Sequence, residues 1–250
     1  MKACRFYDDL TPFYHLIFHD WDESVRKQAG DLDKVIKDKW GQGVNEILDV
    51  SCGIGTQAIG LANLGYNLIA SDISAQAVER AKTEARRWDV NIDFSVSDMS
   101  KAFSHHQRQF DLIISCDNSI PHLLTDGGIL AAFQQFFLCA RDSGGCIISV
   151  RDYEKEITEG TIVKPYGVRE SGGARYILFQ VWDFNSSIYD MSFYIVEDPG
   201  DSPCKTQVMK TKYYAVKIGT LVCLMEQAGF SGVERIDDAF YQTIIVGKKI

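Results

Sequence analysis

Along the first 150 residues, short apolar runs end in polar or glycine residues, and each is followed by an amphipathic stretch. Runs of this kind at Glu46–Val50, Asn67–Ser71, Asn91–Val96, Phe110–Cys116 and Gly145–Val150 predict strands, with helices such as Ser74–Trp88 and Gly128–Ala140 between them. Repeated βαβ units of this form imply a doubly wound, mostly parallel sheet. Ahead of them, Val25, Ala29, Leu32 and Ile36 recur at helical spacing within Asp20–Trp40, where Asp20 and Glu23 suit a capping box.

After Arg151 the period changes. Tyr176–Phe184, Ser187–Glu197 and Thr206–Val216 are rich in β-branched and aromatic residues and are separated by SGG, NSS and EDPGDSP turns, which predicts an antiparallel β insertion. A helical pattern returns at Lys217–Ala228, and two further strands, Gly232–Ile236 and Tyr241–Gly247, rejoin the edge of the main sheet. The expected organisation is one α/β domain over 1–250. It comprises a helical cover (1–45), a ligand-binding core (46–151), an antiparallel insertion over the active site (152–212) and a return to the core sheet (213–250).

Composition adds exclusions. With 250 residues, 46% of them hydrophobic and 24% charged, the chain is long enough for a substantial core and unlike a disordered one. The 26 Lys and Arg against 34 Asp and Glu give a net charge of −8, which disfavours nucleic acid and anionic membrane as partners. The opening MKACRFYDDLTPFY has no apolar signal core and no apolar run is of spanning length, so a cytoplasmic protein is expected. Seven scattered cysteines, never spaced C-x-x-C, read as reduced thiols.

Ligands of such sheets bind beyond the carboxyl ends of the strands, so the chemistry is sought there. ILDVSCGIGTQA places Asp49 at a strand end, then Gly53 and Gly55 opening a helix. The glycines admit close backbone approach, and the helix N-terminus favours an anionic group. Asp72 follows 19 residues after Gly53, where a carboxylate can accept both ribose hydroxyls, with Ile73 available to flank an adenine. Asp98 and Met99 after the third strand could take the adenine amino group and ring face, so the three ends together describe an adenosine site. Gly53, Gly55 and Ala58 also fit the dinucleotide fingerprint of a nicotinamide-dependent oxidoreductase, which stays as an alternative. Against it stands Asp49, an acid suited to an ammonium or sulfonium.

Asp49-x-x-Cys52-Gly53-x-Gly55 with Asp72 resembles the first motif and acidic partner of class I S-adenosylmethionine-dependent methyltransferases, which have a seven-stranded Rossmann-like sheet. The narrower resemblance is to glycine N-methyltransferase and the bacterial glycine/sarcosine N-methyltransferases. It rests on Asn118-Ser119-x-x-His122-Leu123, on Arg151-x-Tyr153 and on the segment Phe6–Gln28. The resemblance implies S-adenosylmethionine as cofactor and S-adenosylhomocysteine as product, no metal, and a small amine or amino acid acceptor held by Asn118 and Arg151. Tyr194 in FYIVEDPG matches the substrate tyrosine, and Tyr14, Trp21 and Arg26 match cofactor contacts. Ser51, standing where many relatives have glycine, is placed on the cofactor side, as is Cys116, read as packing because no base accompanies it. Asp117 precedes Asn118 where the animal enzyme has glycine. Other small-metabolite acceptors, N or O, a non-catalytic S-adenosylmethionine-binding regulator, and either a monomer or a homo-oligomer stay open. His122 and the His105-His106 pair read as structural or solvated rather than as metal ligands.

Overall fold

The computed structural model describes residues 3–250; Met1 and Lys2, the start of the segment read as lacking a signal core, lie outside the described residues. The chain opens with α1 (Ala3–Leu10), a 3-10 segment (Thr11–Ile17) and α2 (Trp21–Trp40), and the alternating core follows. That core is β1 (Glu46–Asp49), α3 (Thr56–Asn63), β2 (Asn67–Asp72), α4 (Ala75–Arg87), β3 (Asp93–Val96), α5 (Ala102–His106), β4 (Phe110–Ser115), α6 (Asp126–Cys139) and β5 (Ala140–Val150). An antiparallel excursion, β6 (Gly160–Ser171), β7 (Ala174–Phe184), β8 (Ile188–Asp198) and β9 (Lys205–Tyr214), precedes the return through α7 (Ile218–Gln227), β10 (Ser231–Ile236) and β11 (Thr243–Lys248).

The seven-stranded sheet has the order β10-β11-β5-β4-β1-β2-β3, with β1, β2, β3, β4 and β5 paired in parallel and β11 antiparallel to both β5 and β10. Strand order reverses between β1 and β4, the point at which such sheets open a crevice for ligands. Their residues justify the burial: Ile47 and Leu48 of β1, and Leu112, Ile113 and Ile114 of β4, are inaccessible on both faces because helices cover the sheet on each side.

Asp20 caps α2, its carboxylate accepting from the Glu23 amide at 2.9 Å, as the capping pattern predicts. Helix α2 lies tight on α3: a Cβ at Gly60 would come within 2.6 Å of both the Ala29 side chain and the Val25 carbonyl. This anchors the N-terminal cover at the carboxyl end of the sheet.

Three sequence expectations need correction. Helix α1 and strand β6 were not foreseen. Helix α1 is only eight residues long, and β6 is an edge strand carrying Pro165 and Gly167, whose register breaks between those two residues. Strand β5 begins at Ala140 rather than Gly145, because α6 already ends at Cys139. None of the helices among the described residues is long and apolar enough to cross a membrane.

Candidate active site

Beyond β1, the chain turns through Gly53 (φ 53°) and Gly55 (φ 95°), left-handed conformations that side chains rarely adopt. Gly55 caps α3, and a Cβ there would collide with Ile59 at 2.7 Å, so its role is to seat the helix rather than to face a ligand. Gly53 lies under the Tyr14 ring, which a Cβ would meet at 3.5 Å.

A cavity of about 430 Å³ opens over this turn. Ser51, Gly53, Asp72, Ile73, Asp98, Met99 and Tyr14 all line it, together with Tyr7, Ser119 and His122. The Asp72 carboxylate is held by the amides of Gly53 at 2.9 Å and Ser74 at 2.8 Å, and burial raises its pKa above the usual carboxylate range. Asp98 accepts from the Ser100 amide and hydroxyl.

The other residues expected on the cofactor side do not line the cavity. Trp21 donates from Nε1 to the Thr56 hydroxyl at 3.0 Å and so ties the start of α2 to that of α3. Arg26 is exposed and stacks on Trp88 at 4.9 Å, on the outer side of α2. Cys116 is buried, its thiol pKa pushed well up by burial, which keeps it an inert packing group. Asp49 sits beneath the turn, 1% exposed; one oxygen accepts from the Ser51 amide at 3.1 Å and the other, Oδ2, has no partner among the described residues. Burial raises its pKa to about 7. A buried, orphaned carboxylate oxygen beside the glycine turn is a polar group waiting for a cationic donor.

A narrow neck of about 50 Å³ adjoins this cavity through Tyr7 and Tyr14, and leads to an outer cleft of about 640 Å³ with which it shares Asp117, Arg151 and Tyr166. Asn118 faces the neck, its carbonyl accepting from the Arg151 amide at 3.0 Å and its amide donating to the Tyr153 hydroxyl at 3.0 Å. The Arg151 guanidinium lies over Trp182 at 4.5 Å, and its Nε is 3.8 Å from Glu156. Asn118 and Arg151, 33 positions apart, are thus brought to one wall.

Tyr194 is a correction: it stacks on Phe179 at 4.7 Å on the face of β8 opposite Tyr189, Met191, Phe193 and Ile195, which pack inward. Strand side chains alternate, so Tyr194 points away from the neck when its neighbours line it. Tyr7, Tyr166 and Tyr213 line the neck instead and Tyr241 the outer cleft; sequence reasoning missed all four. Tyr7 meets His122 Nε2 at 2.8 Å, and burial lowers the His122 pKa to about 4, which keeps that ring neutral. The tyrosine-rich opening FYDDLTPFY was the only signal for Tyr7; the others come from strands whose facing is set by register.

Residues 47–144 match the family model described as a methyltransferase domain. That match spans 98 of the chain's 250 residues. A glycine/sarcosine N-methyltransferase of Aphanothece halophytica is 26% identical over 143 residues, 56% of this chain and 54% of that protein. The chain thus spans about half the length of the curated relatives it matches. An S-adenosylmethionine-bound amino pentose methyltransferase from Micromonospora echinaspora is 14% identical and superposes with a TM-score of 0.77 over 91% of this chain and 92% of that one. A sugar N-methyltransferase from Streptoalloteichus does so at 0.76, with 14% identity, over 90% and 87%. These two likenesses are of fold.

Proposed function

We propose that this chain transfers the methyl group of S-adenosylmethionine to the nitrogen of a small, amino acid-like amine of the glycine or sarcosine type. The observation that carries the reading is the shared wall of Asn118 and Arg151 at the neck, directly between the inner cavity and the outer cleft. The glycine/sarcosine N-methyltransferases among the relatives support it.

The cofactor residues fit the group. Asp72 would hold the ribose, Asp98 and Met99 the adenine, and the orphaned Asp49 oxygen would meet the positive end of the methionine moiety beside Gly53. When bound, S-adenosylmethionine supplies a methyl group on a sulfonium, so the protein's task is alignment rather than activation. Arg151 presents a guanidinium fork suited to a carboxylate. The remaining lone pair of the Asn118 carbonyl can accept from an amine N–H. Tyr7, Tyr14, Tyr166 and Tyr213 close the neck against water, which keeps these polar contacts strong.

A second reading is a larger amine, such as an amino sugar, favoured by the size of the outer cleft and by the fold likeness to two sugar methyltransferases. Release of S-adenosylhomocysteine, measured with glycine, sarcosine, dimethylglycine, ethanolamine and glucosamine, separates the two. Turnover of glycine or sarcosine supports the first reading, and glucosamine turnover alone replaces it with the second. Silence with all five would refute amine methylation.

A further inference from the structure

Asp117 is the feature of the neck that the reading above leaves unused. It lines both the neck and the outer cleft, so it faces an arriving acceptor. Its backbone adopts φ 59° and is followed by Asn118 at φ 60°, two left-handed residues in succession with no glycine. Such a conformation is held only when its surroundings over-determine it. Here the Asp117 amide donates to the Ser149 hydroxyl at 2.9 Å, and the Asn118 amide to the Ser149 carbonyl at 3.1 Å. The turn pushes the carboxylate into the neck, where the Tyr241 hydroxyl donates to Oδ1 at 2.7 Å and the Tyr14 hydroxyl to Oδ2 at 3.4 Å. Tyr14 also walls the cofactor cavity, so Asp117 stands at the junction where acceptor and methyl donor meet.

We propose that Asp117 anchors the acceptor as its ammonium and then takes its proton. This rests on the amine reading above. An amine arriving at neutral pH is mostly protonated and has no lone pair to attack with. A proton passes from R–NH3+ to the Asp117 carboxylate, leaving R–NH2 and a neutral acid. The nitrogen lone pair then forms the N–C bond to the methyl group as the C–S bond breaks, its electrons staying on sulfur. The product leaves as R–NH2+–CH3, and Asp117 returns its proton to water through the open cleft.

The surroundings suit the exchange. Burial raises the Asp117 pKa, while the Tyr241 hydrogen bond, the Arg151 charge and the Tyr14 hydrogen bond lower it. The groups facing it are Tyr14 from the 3-10 segment, Tyr7 from α1, Tyr166 from β6, Tyr241 ahead of β11, Arg151 after β5 and the neighbouring Cys116. All but Arg151 are neutral when protonated, which leaves the carboxylate one cationic neighbour and room for a second.

Asp117→Asn tests the proposal, since asparagine tolerates the left-handed turn and its carbonyl oxygen still accepts from Tyr241, the closer of the two hydroxyls. The assay uses whichever of glycine, sarcosine, ethanolamine or glucosamine the wild type methylates. In the wild type kcat/KM should be level between the pKa of Asp117 and that of the amine. In Asp117→Asn it should fall at least 100-fold at pH 7.5 and climb about tenfold per pH unit, following the free amine. Tyr241→Phe, which removes a donor to the carboxylate, should move the acidic limb to higher pH. Equal stabilisation of wild type and Asp117→Asn by S-adenosylhomocysteine in thermal melts would show that the fold and cofactor site are retained. A parallel pH profile within twofold of wild type overturns the role of Asp117 and leaves amine methylation standing. No turnover of any of the four amines, nor of dimethylglycine, by the wild type overturns both.

Discussion

Asp49 opposes folding once it ionises. Its folded pKa of about 7 lies above the value near 3.9 that an unfolded Asp has, so the native state holds the extra proton between those pH values. Stability attributable to this group therefore falls as pH rises from about 4 to about 7. Asp49→Asn should stabilise the ligand-free protein at pH 8 by on the order of 2–4 kcal/mol, with the two proteins converging near pH 4. The same change should weaken S-adenosylhomocysteine binding; thermal melts across pH, with and without that ligand, check both halves. Arg151 carries the acceptor-side counterpart. Arg151→Ala should lower kcat/KM for a carboxylate-bearing amine tenfold or more, at least about 1.4 kcal/mol, while ethanolamine suffers much less. Equal losses for the two amines would remove the carboxylate role.

At the scale of elements, strand register decides what a residue can reach. Trp182, Tyr189, Met191, Phe193 and Tyr213 form the inner face of the insertion sheet, with Tyr153 against it, and Arg151 lies over Trp182. Tyr194, on the outer face, stacks with Phe179. Tyr194→Phe is therefore expected to leave kcat/KM for the best amine within twofold of wild type, and steady-state kinetics measures it directly. The period-two pattern of β8 is legible in the sequence and sets Tyr194 opposite Phe193, whereas the resemblance of FYIVEDPG points it to the pocket. Strand β6 was illegible for a different reason: an edge strand needs little apolar patterning, and Pro165 and Gly167 signal a break rather than a strand. Helix α2 was plain because its apolar stripe and its Asp20 cap agree.

Across the whole molecule, the net charge of −8 is placed unevenly enough to matter at the entrance. Asp117, Asp152, Glu156, Asp237 and Asp238 line the outer cleft with Lys27, Arg151 and Lys155; Arg235 pairs with Asp152 and Asp237 and Lys164 with Glu156, so the surplus negative charge rests on Asp117 and Asp238. A cationic acceptor should be drawn to such a mouth, with screening complete within about 8–10 Å at physiological salt. Raising the ionic strength from about 0.05 to 0.5 M should thus lower kcat/KM for an ammonium-bearing acceptor through KM, with kcat nearly constant. An unchanged KM would argue that the acidic rim does not steer the acceptor.

The alternating apolar runs were enough, by themselves, to determine the parallel core, the glycine turn after β1 and the carboxylates after β2 and β3, because each is a local pattern tied to a strand end. Seven of the residues expected to contact the cofactor line one cavity, including Tyr14 from far outside the motif. Tertiary structure alone decided which groups face the neck and the outer cleft. Tyr7, Tyr166, Tyr213 and Tyr241 come from four separate elements, and their convergence depends on how α1 and the insertion sheet pack over the crevice. It likewise withdrew Trp21 and Arg26 to the α2 surface and its contacts with α3 and Trp88. A local pattern specifies which way a side chain points from its own element, whereas its neighbours across the fold depend on long-range packing that no short window of sequence contains.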